Sequence, residues 1–188
     1  MVNTPTRRNK IMPADIILVN SGTSYGTLVL LTLRFLQKDD VKLSHVLMAV
    51  DEDTAIVAET KVRYRNIQDY LKKVKEYKII RNNKLTDKQR ASIVKRAEAL
   101  LNLRYGAFRI FLQLLDQLFQ TKKFTGWLKD KKIQICSTLV SWSYYVSTKV
   151  KFLGLDWQCV EPDDIDDESI ENHEDWDVVD ASLSTWRL

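Results

Sequence analysis

Two short apolar runs rich in β-branched residues, Val46 to Val50 and Thr54 to Ala58, flank the acidic triplet Asp51-Glu52-Asp53. Runs of that length joined by a brief polar turn predict a β-hairpin. If Val50 faces Thr54 across a three-residue loop, every facing pair sums to the same total and His45 falls opposite Glu59. A two-residue loop would instead give His45 the partner Ala58 or Thr60 and turn Glu59 to the other face. In the first register the facing Cβ atoms lie roughly 4.5 to 5.5 Å apart. A carboxylate at that separation can hold an imidazole in one tautomer and stabilise the imidazolium, which is how a third group orients a general base. The facing register is the expectation. A half-buried strand histidine beside an unrelated surface glutamate is the bland alternative, and the hairpin alone leaves both open.

A nucleophile for such a base stands far along the chain. Leu139, Trp142, Ser143, Val146 and Val150 recur at helical spacing after Cys136-Ser137-Thr138, so Cys136 is expected at or just before a helix N-terminus. Free amides and the helix dipole favour a thiolate there. The same amides can donate to an oxyanion on a substrate carbonyl, an interaction typically worth about 3 kcal/mol in a transition state. A cysteine opening an apolar helix also suits a core; the combination with His45 and Glu59 turns the reading toward chemistry. Cys159, in Trp157-Gln158-Cys159-Val160, reads as a structural loop residue. His173 lies among acids with no strand pattern around it and is a poor base.

With 188 residues, 45% of them hydrophobic, the chain fits one domain with a proper core, residues 1–188. Five glycines and three prolines against 29% charged residues exclude collagen-like and low-complexity chains. The basic start lacks the apolar core of a secretory signal, and the run Leu28 to Leu36, broken by Thr32 and Arg34, is too short to span a bilayer. Two cysteines in a chain of this size require no disulfide. The expectation is therefore a reducing, cytoplasmic setting. Charge is unevenly spread: 12 acidic residues and one basic residue follow from Asp156 onward, net -11, while the rest carries +15. That predicts an acidic C-terminal tail from about residue 156, packed on a basic body partly through Trp157 and Trp176, and an anionic partner for the body when the tail is elsewhere.

The remaining pattern supplies an α+β chain. Pro13 to Val19 reads as a first strand, Tyr25 to Gln37 as a buried helix, Val62 to Tyr64 as extended, Asn66 to Lys75 as a short helix and Tyr77 to Arg81 as a further strand. Thr86-Asp87-Lys88-Gln89 has the capping-box pattern, so a helix is expected from Asp87 to about Leu103. A second apolar helix carries Phe108, Phe111, Leu112, Leu115, Leu118 and Phe119, and Lys122 to Lys132 reads as a surface loop.

In order and wording, D-I-I-L-V, S-H-V-L-M-A-V, A-E-T, L-R-Y-G-A-F, I-C-S-T-L-V-S-W-S-Y-Y and V-E-P-D-D-I resemble the YiiX-like branch of the NlpC-type cysteine hydrolases over about Pro13 to Ile165. The Ser-His-Val and Cys-Ser-x-Leu-Val pair is the most specific part. The resemblance implies a circularly permuted papain-like fold, α+β, with a small antiparallel sheet packed against helices and the histidine strand preceding the cysteine helix. It implies Cys136 as nucleophile, His45 as base and Glu59 as the orienting residue, with Tyr105, Ser44 and Ser137 beside the substrate groove. It implies no cofactor and no metal. Three departures stand out: Gly106 replaces the aspartate that usually follows the tyrosine, Leu47 a frequent glycine, and Ala14-Asp15 the usual Gly-Asp start.

The leading functional expectation is a thiol hydrolase that cleaves an amide bond in a peptide or acyl-amide substrate, cell-wall peptides among the candidates. A lipid acyl hydrolase or acyltransferase related to lecithin retinol acyltransferase is the second reading; that family shares the His-before-Cys order but carries a histidine in the third position. A non-catalytic binding module on the same fold is the third.

Overall fold

The structure is a computed structural model that describes residues 10–20, 43–59, 61–103 and 136–182. The helices expected at 25–37 and 108–119, the lysine-rich loop and Tyr105 lie outside the described residues. Six strands form one antiparallel sheet: β1 (Ile16–Asn20), β2 (His45–Ala49), β3 (Thr54–Ala58), β4 (Val62–Asn66), β5 (Glu76–Asn82) and β6 (Trp176–Ala181). Their order is β4-β3-β2-β1-β5-β6. Helices α1 (Ile67–Leu71), α2 (Asp87–Glu98), α3 (Cys136–Thr148) and α4 (Pro162–Glu171), with a 3-10 turn at Phe152–Gly154, complete the described elements. The fold is α+β, as the patterning and the resemblance imply.

Alternation along the strands decides what each side of the sheet buries. Ile16, Leu18, Val46, Met48 and Ile56 share one apolar cluster with Ile93, Val94 and Ala97 of α2 and Leu139, Val140 and Tyr144 of α3. Ile17, Val19, Leu47, Ala49, Ala55 and Val57 share another with Ile67 of α1, and Tyr70 packs against it. Both faces of β1, β2 and β3 are thus covered, which is why these strands read as near-continuous apolar runs.

The hairpin has the register expected of a three-residue loop. Leu47 pairs with Val57, Met48 with Ile56 and Ala49 with Ala55. The Val50 amide donates to the Thr54 carbonyl at 2.8 Å, and the Asp51 carboxylate accepts from the amides of Asp53 and Thr54.

At α2 the capping box forms: Thr86 Oγ1 accepts from the Gln89 amide, and Gln89 Oε1 accepts from the Thr86 amide at 2.9 Å. The helix stops at Glu98, before Leu103. Beyond it Asn102 takes a left-handed φ of 67°, and its amide donates to the Val62 carbonyl at 2.9 Å. The Val62 amide donates back to the Leu103 carbonyl, so β4 captures the backbone that would have continued the helix.

The acidic segment packs on the body at Trp176, as expected, and beyond that expectation it supplies α4 and the edge strand β6, which pairs with β5. Trp176 is buried with ring centroids 6.1 Å from Tyr144 and 5.8 Å from Phe152, while Trp157 is partly buried. Charge pairing contributes too: Lys78 Nζ donates to Asp166 Oδ1 at 2.6 Å and to Ser169 Oγ at 3.1 Å, and Lys84 pairs with Asp175. Net charge did not disclose this, because Ile165, Trp176 and Val179 are buried while the segment's buried acids find a cation or a backbone amide, as Asp166 does with Lys78 and Glu168 with the Leu153 amide. Among the described residues no helix is long and apolar enough to cross a membrane.

Candidate active site

His45 is the first residue of β2, held in the sheet by its pairing with Val19 on β1. Cys136 is the first residue of α3, the helix that packs across β2 and β3. Residues 91 positions apart in sequence thereby come close enough for the Cys136 thiol and the His45 imidazole to shift each other's ionisation. Nε2 of His45 is buried without a partner among the described residues. Nε2 is therefore a ring position open to an orienting acceptor.

The electrostatics of the pair favour separated charge. Burial pushes the Cys136 thiol up, but the neighbouring imidazolium, its hydrogen bond and the amides of Val46 and Ser137 outweigh burial and hold the thiol below its ordinary value. Burial likewise lowers His45, and the thiolate, its hydrogen bond and the charge of Glu59 more than offset it, so the imidazole is raised. Each partner stabilises the charged form of the other. The helix start supplies part of this: the Ser137 amide is one of the orphan donors of α3.

Glu59 lies one residue beyond β3, where the hairpin register extended from Leu47–Val57 sets it against His45. Its carboxylate is engaged elsewhere. Oε2 accepts from Arg63 Nε at 2.6 Å and Arg63 Nη2, and from Arg65 Nε at 3.2 Å and Nη2 at 2.8 Å. Burial raises the carboxyl, but the two guanidinium groups outweigh it and keep Glu59 below the usual carboxylate range. The ladder between β2 and β3 ends at Leu47–Val57, so the expected facing of Glu59 and His45 lies beyond the paired residues; the Glu59 charge still acts on the imidazole, while its carboxylate is bonded to the arginines.

Tyr70 of α1 stacks on the His45 ring, with centroids 6.4 Å apart and planes inclined by 29°. Burial raises its hydroxyl well above the ordinary phenol value, with the negative charges of Glu59 and Cys136 adding to the effect. It stays protonated and walls one side of the imidazole. Ser137 is buried and offers its amide to the sulfur, its carbonyl accepting from Ser141 Oγ at 2.8 Å. Ser44 is partly buried, and its amide donates to the Val19 carbonyl at 3.1 Å. Cys159 is exposed and free.

Sequence reasoning missed Arg63, Arg65 and Tyr70. For the arginines a signal existed. Val57 pairs with Arg63 and Ala55 with Arg65, so residues of odd number on β3 and β4 share a face with Glu59. Nothing in the sequence placed Tyr70, because its position depends on how α1 folds back over the sheet.

Neither the protein-family models nor the curated proteins compared with this chain give a match. Among solved structures the chain is similar to the crystal structure of metalloprotein yiiX from Escherichia coli O157:H7, DUF1105. The two share 18% identity with a TM-score of 0.55, over 76% of this chain and 69% of that one. The described residues of the present chain do not offer a matching metal centre: no group of three or more His, Cys, Asp or Glu side chains among them could hold an ion. The Cys136–His45 pair supplies two ligand types, and the nearest carboxylate is bound to two arginines. The likeness in structure shows that this chain has a YiiX-like fold, in which one antiparallel sheet carries His45 and a packed helix carries Cys136.

Proposed function

We propose that the chain is a thiol hydrolase that cleaves an amide bond of a peptide or acyl-amide substrate, with Cys136 as nucleophile, His45 as general base and acid, and Glu59 as the residue that orients His45. The observation that carries this reading is the meeting of Cys136, first residue of α3, with His45, first residue of β2, where the thiol is lowered and the imidazole raised by each other. Buried ionisable pairs shifted in this complementary way are suited to nucleophilic catalysis.

In the proposed cycle the Cys136 thiolate adds to the substrate carbonyl carbon, and amides at the start of α3 receive the oxyanion. The imidazolium of His45 gives its proton to the departing amine as the C–N bond breaks, leaving a thioester on Cys136. Water then attacks the thioester, His45 takes its proton, and the C–S bond breaks to release the carboxylic acid and restore the pair. Tyr70 stacks on the imidazole and limits its movement on that side.

Iodoacetamide labelling tests the nucleophile. Cys136, alone in C159S, is expected to label rapidly near neutral pH, and Cys159, alone in C136S, to label slowly. A panel of peptide amides and acyl esters, with H45A as the blank, then assigns the bond. Equal, slow labelling of Cys136 and Cys159 would refute a primed thiol, turnover of esters alone would move the reading to acyl transfer, and labelling without any turnover would favour a binding module.

A further inference from the structure

One carboxylate near the site has two claimants. Arg63 and Arg65 both bond to Oε2 of Glu59, leaving the three side chains with a net positive charge. Both guanidinium groups remain open to solvent, with side chains 34% and 38% exposed against 25% for Glu59. On the other side, His45 Nε2 is buried with no partner among the described residues, although Glu59 lies just past the end of the neighbouring strand and the imidazole feels its charge. A buried, unpartnered ring nitrogen carries a desolvation cost that an accepting carboxylate would remove. Glu59 is, instead, on the arginines.

We propose that Arg63 and Arg65 form a subsite for a carboxylate of the substrate, occupied in the free protein by the chain's own Glu59. A planar fork of N–H donors suits a carboxylate, and both forks already converge on one carboxylate oxygen, Oε2 of Glu59. When a substrate carboxylate takes the two guanidinium groups, Glu59 is released to accept from Nε2–H of His45. Binding an acidic substrate and completing the Cys136–His45–Glu59 arrangement are then one event. The favoured substrates are acidic peptides, carrying a carboxylate on a side chain or a terminus near the bond attacked. This inference rests on the assignment of Cys136 as nucleophile.

A matched pair of reagents tests it without a known substrate: bromoacetyl-glutamate and its neutral counterpart bromoacetyl-glutamine α-amide, in which both carboxylates are carboxamides. In each, the Cys136 thiolate displaces bromide and forms a thioether, read by mass spectrometry in the C159S background and normalised to the same ratio on free cysteine. The acidic reagent is expected to react about tenfold faster or more, the gain typical of charge-assisted hydrogen bonds. R63Q/R65Q is expected to bring the ratio to that of free cysteine. E59Q, which removes the resident anion, is expected to widen it, a gain that misfolding cannot mimic. A wild-type ratio equal to free cysteine, or one unchanged in R63Q/R65Q, overturns the subsite while leaving the nucleophile standing. An E59Q ratio no larger than the wild type's overturns Glu59 as the resident occupant. Failure of both reagents at Cys136 in the folded protein overturns the subsite and the hydrolase reading together.

Discussion

Replacing Asp166 with Asn isolates the buried contact that ties the acidic segment to the sheet. Lys78 lies in β5, its side chain 2% exposed, and its ammonium is met by Asp166 Oδ1 at 2.6 Å and Ser169 Oγ at 3.1 Å. The amide left by D166N can still accept a hydrogen bond but carries no charge, so the buried ammonium would lose the carboxylate that Asp166 supplies. Breaking one side of a buried pair typically costs about 3 to 5 kcal/mol, and the surviving Ser169 contact places this case toward the lower end. The double variant K78M/D166L removes both charges and keeps the volume, and such replacements typically fall between neutral and about 1 kcal/mol or more of added stability. Urea denaturation supplies the measurement: the D166N midpoint falls at constant slope, while K78M/D166L holds near the wild-type midpoint. A D166N loss under about 1 kcal/mol would refute the reasoning, because the Lys78 charge would then have reached water or another acceptor. A double variant as unstable as D166N would refute it differently, by making packing volume the source of the loss.

The alkylation rate of Cys136 in H45A is expected to rise only at higher pH than in the wild type, since burial then opposes the thiolate with only the Val46 and Ser137 amides against it. The same pair governs stability: the lowered thiol contributes above its unfolded value of about 8.5 and fades as pH falls through the folded one, whereas the raised imidazole contributes below about 6.5 and fades as pH rises through its folded value. An acid limb unmoved in H45A would refute the pairing. W176A is expected to lose about 3 to 5 kcal/mol through the cavity it leaves against Tyr144 and Phe152. Because that loss is apolar it should be the same at low and high salt; a loss that shrinks with salt would show that charge pairing seats β6.

Much of the positional framework was legible in the sequence because its causes are local. Alternating apolar residues around Asp51-Glu52-Asp53 specified the hairpin and its register, since a slip by one residue would turn a whole apolar face to water. Thr86 and Gln89 announced the start of α2 through bonds that span three residues. The apolar spacing after Cys136 announced α3, and with it the donor-rich end where the sulfur sits. Ends set from outside were not legible: α2 stops where β4 claims Asn102 and Leu103.

By itself, then, the sequence determined which residue types occupy the tip of a helix and the start of a strand, and the hairpin register whose extension brings Glu59 to His45. Tertiary structure decided the rest. It brought Cys136 onto His45, stacked Tyr70 over the ring, made an edge strand of an acidic segment, and handed the Glu59 carboxylate to Arg63 and Arg65. The physical reason is reach: hydrogen bonding within a turn or hairpin is encoded by neighbours, whereas the choice among competing partners for a charge depends on which strands the sheet places side by side.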